Sequence, residues 1–281
     1  HNKTPFVRFC LTKGVHFILG LLSLSSCFTA KERKKKYKEE IDIRFFTFSG
    51  PPSSGKTSVI IKTALELKKK KYKIAVVKFD CLATDDDKLY AKNGIESITG
   101  LSGNLCPDHF FISNIDECFN WAYAKPYDIL ISESAGLCNR CSPHIEGCTA
   151  VCVIDNLLGI NTPRKIGPML KTSDITVITK SEIVSQAEKE IFAFKIRQAN
   201  PNAIILHING ITGQGANRLS DLLEKTPQID SLEGKELRAS MPSALCSYCM
   251  GETFIGKDKQ KGNVRRINFD SIKGEAVSEK L

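Results

Sequence analysis

The residues best suited to chemistry form a glycine-bounded loop at positions 50–57, Gly-Pro-Pro-Ser-Ser-Gly-Lys-Thr. The loop matches the pattern G-x-x-x-x-G-K-[ST] and lies between a predicted strand and a predicted helix, as a phosphate-binding loop requires. Gly50 and Gly55 let the backbone turn so that its N–H groups face phosphate oxygens. Lys56 is expected to reach the β- and γ-phosphates, and Thr57 to offer its hydroxyl to Mg²⁺. The expected nucleotide-binding residues of this segment are Gly50, Pro51, Pro52, Ser53, Ser54, Gly55, Lys56, Thr57 and Ser58.

Two acidic residues stand at the carboxyl ends of predicted strands, where α/β sheets place their ligands. Asp80 ends the second strand and is expected to hold Mg²⁺ together with Thr57, or a water in the metal's shell. Glu133 ends a later strand and precedes Gly136, whose N–H is expected to contact a γ-phosphate and to release it on hydrolysis. The alternative is that either carboxylate only caps the following segment. We therefore expect Lys56, Asp80 and Glu133 to be the catalytic residues.

Cysteines form two pairs with metal-ligand spacing in a chain that holds eleven of them. Cys138 and Cys141 lie directly behind the predicted phosphate sensor, and Cys246 and Cys249 form a second C-x-x-C pair. In a reducing compartment such pairs favour a metal or an Fe–S cluster over disulfides, and two thiolates three residues apart can share one metal. Whether the two pairs share one site stays open. Cys152 lies in an apolar strand pattern and is expected to be a core thiol.

Around these residues strands and helices alternate, which predicts an α/β domain with a mostly parallel sheet flanked by helices over residues 41–227. Residues 228–281 are predicted to form a small C-terminal tail that carries the second cysteine pair. The predicted strands span 44–49, 72–79, 128–132, 150–155, 175–179 and 203–208. The predicted helices span 57–71, 85–92, 113–122, 163–170, 182–199 and 217–225.

The net charge of +9 is concentrated near the N-terminus, where residues 1–40 hold nine basic and three acidic side chains. The remainder is only mildly basic, which argues against a nucleic-acid partner. An apolar run at 15–30 resembles the core of a signal peptide but is short for a membrane span. We interpret residues 1–40 as a disordered or mis-assigned leader of a cytoplasmic protein, without membrane contact. A membrane-surface anchor and a cleaved signal are the alternatives.

Taken in order, these motifs resemble those of the HypB/UreG group of metal-insertion GTPases, within the wider CobW-like class. Residues 80–87 look like the group's D-x-x-T-x-x-D-A stretch, which positions metal and switch residues, and 133–136 are similar to its E-x-x-G switch. Residues 161–168 resemble its proline-punctuated segment, and 209–215 resemble its loop at the guanine. The resemblance covers most of residues 44–225. It implies a P-loop NTPase fold, GTP with Mg²⁺, a client metalloenzyme and a homodimer.

The chain departs from that group in the base-reading motif. The group's N-K-x-D appears here as Thr179-Lys180-Ser181-Glu182. By this resemblance Lys180 and Glu182 read the base, because the longer acid can still accept from the N1–H and N2–H₂ of guanine. GTP is therefore favoured over ATP, although the reach of the acid has changed.

A second departure concerns the metal. In the hydrogenase-maturation members, a Cys-His pair and a Cys-Pro after the switch form a metal site at the dimer interface. The matching segments here, 105–109 and 136–143, lose the Cys-His adjacency and gain the C-x-x-C pair. His109 is then expected to be a surface loop histidine.

The leading hypothesis is a GTPase that couples hydrolysis to delivery or insertion of a metal or metallocofactor into a client enzyme. Zinc, nickel or an Fe–S cluster is the expected cargo of the cysteines. The alternative is an ATP-dependent Fe–S reductive activator or a transport-coupled component, favoured by the altered base-reading motif. A third hypothesis is a regulatory switch with structural zinc in its tail.

Overall fold

A computed structural model describes residues 42–241, 252–260, 265–267 and 269. Within these residues seven strands form one sheet, and every pairing is parallel. The strands are β1 (Arg44–Ser49), β2 (Ile74–Asp80), β3 (Glu96–Leu101), β4 (Ile129–Glu133), β5 (Thr149–Asp155), β6 (Ile175–Thr179) and β7 (Ile204–His207). Their order across the sheet is β3-β2-β4-β1-β5-β6-β7. The predicted α/β fold with a parallel sheet is confirmed.

Helices cover both faces of this sheet, which explains why the central strands β4, β1 and β5 are buried along almost their whole length. The helices are α1 (Lys56–Lys69), α2 (Asp86–Lys92), α3 (Pro107–Tyr123), α4 (Thr162–Lys165), α5 (Pro168–Lys171), α6 (Gln186–Ala199) and α7 (Ala216–Glu224). Phe46 and Phe48 of β1 pack in a core with α1 and α7, whereas Phe45 packs on the opposite face with α3. No helix in the described ranges combines the length and apolar character needed to cross a bilayer.

Described residues beyond position 227 pack onto the sheet domain. Ile229 pairs with Ile43 beside β1, and Leu237 pairs with Ile145. Leu237 also lies buried in the core on the α3 face, together with Met241 and Ile255. The described part of the C-terminal region therefore adds to that core, and the boundary at residue 227 stays a prediction.

Four elements differ from the predicted pattern. The helix predicted at 163–170 is two short helices, α4 and α5, separated at Gly167, whose φ is +65°. Strand β3 was not predicted, because this edge strand contains Gly100 and buries only alternate residues. Helix α3 begins at Pro107 and not at residue 113, since proline suits the first helical turn. Helix α6 begins at Gln186 and not at residue 182, because Ser185 and Glu188 form a reciprocal capping box that fixes the start.

Candidate functional site

The phosphate loop joins β1 to α1 and makes contact with the neighbouring strand. Gly50 and Gly55 both have positive φ angles, +147° and +88°. A Cβ on Gly50 would lie 2.1 Å from the carbonyl oxygen of Val153, so a side chain cannot be accommodated there. The close approach of Val153 therefore favours glycine at position 50, and the left-handed backbone favours glycine at position 55.

Lys56 lies across the mouth of this loop. Its Nζ donates to the carbonyl oxygens of Gly50 and Pro51, both at 3.0 Å. Burial lowers the pKa of Lys56 to about 8, against the opposing charge of Glu133. The carbonyl oxygens hold the ammonium at the place where a phosphate-binding loop receives phosphate oxygens.

Next to the loop, polar side chains from four elements converge in what we call the acid cluster: Thr57, Lys78, Asp80, Asp86, Tyr90 and Glu133. The Thr57 hydroxyl lies 2.7 Å from Oε1 of Glu133 and 3.2 Å from Oδ2 of Asp86. Lys78 Nζ lies 2.9 Å from the same Glu133 oxygen and 2.8 Å from the same Asp86 oxygen. Asp80 is more distant, at 3.7 Å from Lys78 Nζ. Asp86 and Glu133, and not Asp80, therefore contact Thr57 directly.

Both carboxylate oxygens of Glu133 accept hydrogen bonds. Its side chain is fully buried, and the Tyr90 hydroxyl donates to Oε2 at 2.6 Å. Burial raises the pKa of Tyr90 well above its ordinary value, and the charge of Glu133 adds to this rise, so the phenol stays a donor. The carboxylate therefore has one fixed orientation, with Oε1 presented to Thr57 and Lys78.

The charges of Lys78 and its two acids reinforce one another. Burial acts to lower the pKa of Lys78, but Glu133 and Asp86 outweigh it and raise the pKa above its ordinary value. Burial acts to raise the pKa of Asp86, but hydrogen bonding to Lys78 outweighs it and lowers the pKa. An ammonium and a carboxylate therefore face each other across the physiological pH range.

The oxygens of this cluster suit Mg²⁺, which prefers carboxylate, hydroxyl and phosphate ligands. Oxygens about 2.0–2.1 Å from an octahedral Mg²⁺ are about 3 Å from their neighbours. The 2.7 Å and 3.2 Å separations of Thr57 Oγ1 from Glu133 and Asp86 bracket that spacing. Thr57, Asp86 and Glu133 therefore fit the ion, with Asp80 one step further out.

Gly136 brings the segment after β4 against the phosphate loop. A Cβ on Gly136 would lie 1.8 Å from the carbonyl oxygen of Gly50 and 3.0 Å from Lys56 Nζ. Gly136 also has a φ of +73°, which a side chain rarely adopts. The predicted phosphate sensor therefore touches both the loop backbone and its lysine.

Directly beyond Gly136 lies the thiol cluster, formed by Asp108, Cys138 and Cys141. One ligand atom from each of these residues lies within 4.8 Å of the other two. Thiolates about 2.3 Å from a tetrahedral metal are about 3.8 Å apart, so the three groups are close to ligand spacing. Asp108 projects from the first turn of α3, and the two cysteines lie in the loop after β4.

Burial disfavours the charged forms of the acid and of the buried thiol in the thiol cluster. Burial raises the pKa of Asp108 to about 6, and its Oδ2 has no hydrogen-bond partner among the described residues. Burial also raises the pKa of Cys141, and the neighbouring Asp108, Cys138 and Cys106 raise it further. A bound cation would favour the charged forms of all these groups and so offset the cost of burying them.

His144 anchors the same loop to β1. The ring is fully buried, with Nδ1 2.8 Å from the Thr47 hydroxyl and Nε2 3.0 Å from the carbonyl oxygen of Met169. A carbonyl oxygen only accepts, so Nε2 carries the hydrogen and Nδ1 accepts from Thr47. Cys141 lies three residues before this anchor, which fixes one end of the cysteine loop.

This histidine makes stability sensitive to acid. Burial lowers the pKa of His144 to about 3, and Arg238 adds to the shift, whereas the pKa in the unfolded chain is near the ordinary histidine value of 6.5. Because the pKa is lower in the folded protein, the neutral ring contributes stability above pH 6.5 that is lost as the pH falls toward 3. The free energy of unfolding is expected to fall by about 2 kcal/mol between pH 7 and pH 5 from this group. We expect urea denaturation to measure that extra loss in the wild type relative to His144→Gln, whose side chain does not titrate. An identical pH dependence of unfolding in the two proteins would contradict it.

One of the two predicted base-reading residues faces a cleft of about 900 Å³ between α6, α7 and β7. Glu182 and Asn209 both line it. Lys180 donates to the carbonyl oxygen of Ser53 in the phosphate loop at 3.1 Å and pairs with Asp155. The two segments that the sequence assigned to the base therefore meet at one side of the phosphate loop.

Several further outcomes concern single residues. His109 is fully buried within α3, so the prediction of a surface loop histidine is wrong; the earlier start of the helix carries it inside. Cys152 is fully buried in β5, which confirms it as a core thiol. Cys246 and Cys249 lie outside the described residues, and their role stays a prediction.

Three residues of the two clusters were missed by the sequence reasoning: Lys78, Tyr90 and Asp108. Asp86 was expected only as part of the 80–87 stretch. A lysine inside the apolar strand IAVVKFD was a usable signal, since lysines are almost never buried unless paired. Asp108 follows a proline that starts a helix, which was a second signal.

The sequence is similar to those of several known proteins. A model of the CobW/HypB/UreG nucleotide-binding domain matches residues 45–207. An uncharacterized protein of Methanocaldococcus jannaschii is 47% identical over 228 residues, covering 81% of this chain and 97% of that protein. The urease accessory protein UreG of Haloquadratum walsbyi is 26% identical over 203 residues, 66% of this chain and 96% of that protein. A probable hydrogenase maturation factor HypB of M. jannaschii is 25% identical over 201 residues, 69% of this chain and 88% of that protein.

A solved structure gives the same picture of the fold. The crystal structure of HypB from Helicobacter pylori in complex with nickel aligns with a TM-score of 0.54 at 20% identity, over 69% of this chain and 90% of that one. At this identity the likeness concerns the fold.

Proposed function

This chain belongs to the CobW/HypB/UreG nucleotide-binding family, and from that premise we propose that it is a GTPase that delivers or inserts a metal into a client enzyme. The observation that carries the proposal is the position of the thiol cluster. Cys138 lies two residues beyond Gly136, whose backbone is in contact with Gly50 and Lys56. A change at the γ-phosphate is therefore transmitted through two residues to a metal ligand.

On the nucleotide side, Lys56 exchanges its carbonyl partners for phosphate oxygens when GTP enters the loop. Thr57, Asp86 and Glu133 would hold Mg²⁺, with Asp80 in the surrounding shell, and the ion would neutralise developing phosphate charge. Glu133 is kept in place by Tyr90 and organises the attacking water together with Asp80. Glu182 accepts from the guanine edge, and Lys180 lies over the loop.

On the cargo side, Cys138, Cys141 and Asp108 hold the transferred metal. Thiolates and a carboxylate suit Zn²⁺ and are compatible with nickel, which the H. pylori HypB complex contains. The relatives named for urease and hydrogenase maturation support a metalloenzyme as client. Gly136 moves with the γ-phosphate, so the loop that bears the cysteines has different geometry before and after hydrolysis. A homodimer is part of the proposal.

The proposal is tested by anaerobic purification, analysis of metal and sulfide, and parallel titrations with GTP and ATP. We expect tighter binding of GTP, Mg²⁺-dependent hydrolysis, and a metal affinity that differs between the GTP-bound and nucleotide-free states. A brown chromophore, stoichiometric sulfide and a preference for ATP would select the Fe–S activator instead. Binding of nucleotide without turnover, and metal affinity unchanged by GTP, would leave the delivery role without support.

A further inference from the structure

The acid cluster contains a buried cation of the protein's own. Lys78 belongs to β2 and is the register partner of Glu133 in β4. Its side chain is 6% exposed, and its Nζ contacts the same oxygens of Asp86 and Glu133 that converge on Thr57. Phosphate-loop chemistry assigns no ammonium to this place, where the ligands of the divalent ion gather.

We propose that Lys78 is a positioning residue that makes divalent-cation binding conditional on nucleotide phosphates. The inference rests on the nucleotide-binding part of the proposed function. In the nucleotide-free protein, the ammonium holds Asp86 and Glu133 against Thr57 and occupies their inward-facing oxygens. A divalent ion arriving alone must displace that ammonium or lie beside it.

The charge balance of the cluster supports this role. Asp80, Asp86 and Glu133 carry three negative charges, and Lys78 and Lys56 carry two positive ones. One net negative charge is a weak attraction for an ion that gives up its water reluctantly. The phosphates of a nucleotide supply the missing negative charge and oxygens, and they also draw Lys56 away from Gly50 and Pro51. The ion then binds together with the phosphates.

The decisive measurement is Mn²⁺ binding without nucleotide, followed by the electron paramagnetic resonance signal of the unbound ion. Mn²⁺ takes the same hard oxygen ligands as Mg²⁺. We expect Lys78→Met to bind Mn²⁺ about tenfold more tightly than the wild type, because an opposing charge is removed from a buried site. The same substitution should reduce the factor by which a non-hydrolysable GTP analogue tightens Mn²⁺ binding.

Two controls separate this role from a structural one. Lys70→Met removes a lysine that bridges the exposed carboxylates of Asp221 and Glu224, and should leave Mn²⁺ binding at the wild-type level. Lys78→Met combined with Asp86→Asn should lose the gained affinity, which locates it in the acid cluster. Mn²⁺ affinity of folded Lys78→Met within twofold of the wild type would overturn the proposal.

The role of Lys78 can be tested even if Lys78→Met does not fold. If Lys78→Met is unfolded by circular dichroism, Lys78→Gln retains an N–H donor for the carboxylates and should give the same gain. If neither variant folds, the wild type decides: equal Mn²⁺ affinity with and without the GTP analogue overturns the inference. If the wild type hydrolyses no GTP and Lys78→Met still binds Mn²⁺ more tightly, the proposed function is contradicted, whereas the role of Lys78 is supported.

Discussion

Replacing Cys138 and Cys141 together with alanine is expected to weaken Zn²⁺ or Ni²⁺ binding by at least about 100-fold, since loss of an outer partner alone costs about 10–100-fold. Both thiols lie within 4.8 Å of Asp108, so the substitution leaves one carboxylate where three ligands met. Affinity is measured by competition with a chromophoric chelator, and stoichiometry by elemental analysis. GTP binding should persist, because neither cysteine contacts the phosphate loop in the described structure.

Cys148→Ala is the matched control for this experiment. Cys148 is buried in the same apolar core as Cys141, but it is not part of the thiol cluster. The Cys148→Ala protein should retain the wild-type metal affinity, although it carries the same type of substitution in the core. Wild-type affinity and stoichiometry in the Cys138→Ala/Cys141→Ala protein would remove the thiol cluster from the function.

The second cysteine pair enters the same experiment as an independent arm. Cys246→Ala/Cys249→Ala reports on residues outside the described ranges. Loss of the same metal equivalent as in the first double variant indicates one shared site. Loss of a different equivalent indicates two sites, and no loss excludes the tail pair as ligands.

Local patterns were enough to predict the phosphate loop and the strands next to it. Strand β1 and strand β6 have the predicted bounds, because a short run rich in aromatic or β-branched residues between turn residues is a local signal. The fold class followed from the alternation of such runs with helical segments. The loop was recognised because its glycines, lysine and threonine all lie within eight consecutive residues, 50–57.

The acid cluster could not be assembled in the same way, because its members meet across the sheet. Lys78 faces Glu133 because β2 and β4 are neighbours in the sheet, and the order of the strands cannot be read from the sequence. Asp86 and Tyr90 are brought in by a short helix whose docking depends on that order. Asp108 joins the cysteines because α3 starts six residues earlier than its apolar pattern suggested.

Gly136→Ala is expected to lower GTP hydrolysis by about 100-fold, since a displacement of about 1 Å in a catalytic site has that effect. The added Cβ would lie 1.8 Å from the carbonyl oxygen of Gly50, a distance that forces the segment away from the phosphate loop. Initial rates at saturating GTP measure the effect. The same variant should lose any difference in metal affinity between its GTP-bound and nucleotide-free states.

Gly159→Ala separates contact from backbone strain in this test. Gly159 also has a positive φ, +92°, but a Cβ there meets no atom within 4 Å. It should therefore hydrolyse GTP within a few-fold of the wild-type rate. Equal losses in both variants would assign the effect to strain, and wild-type hydrolysis in Gly136→Ala would show that the segment takes no part in the reaction. Loss confined to Gly136→Ala, with metal still bound but indifferent to GTP, would identify this contact as the link between the nucleotide and the cysteines.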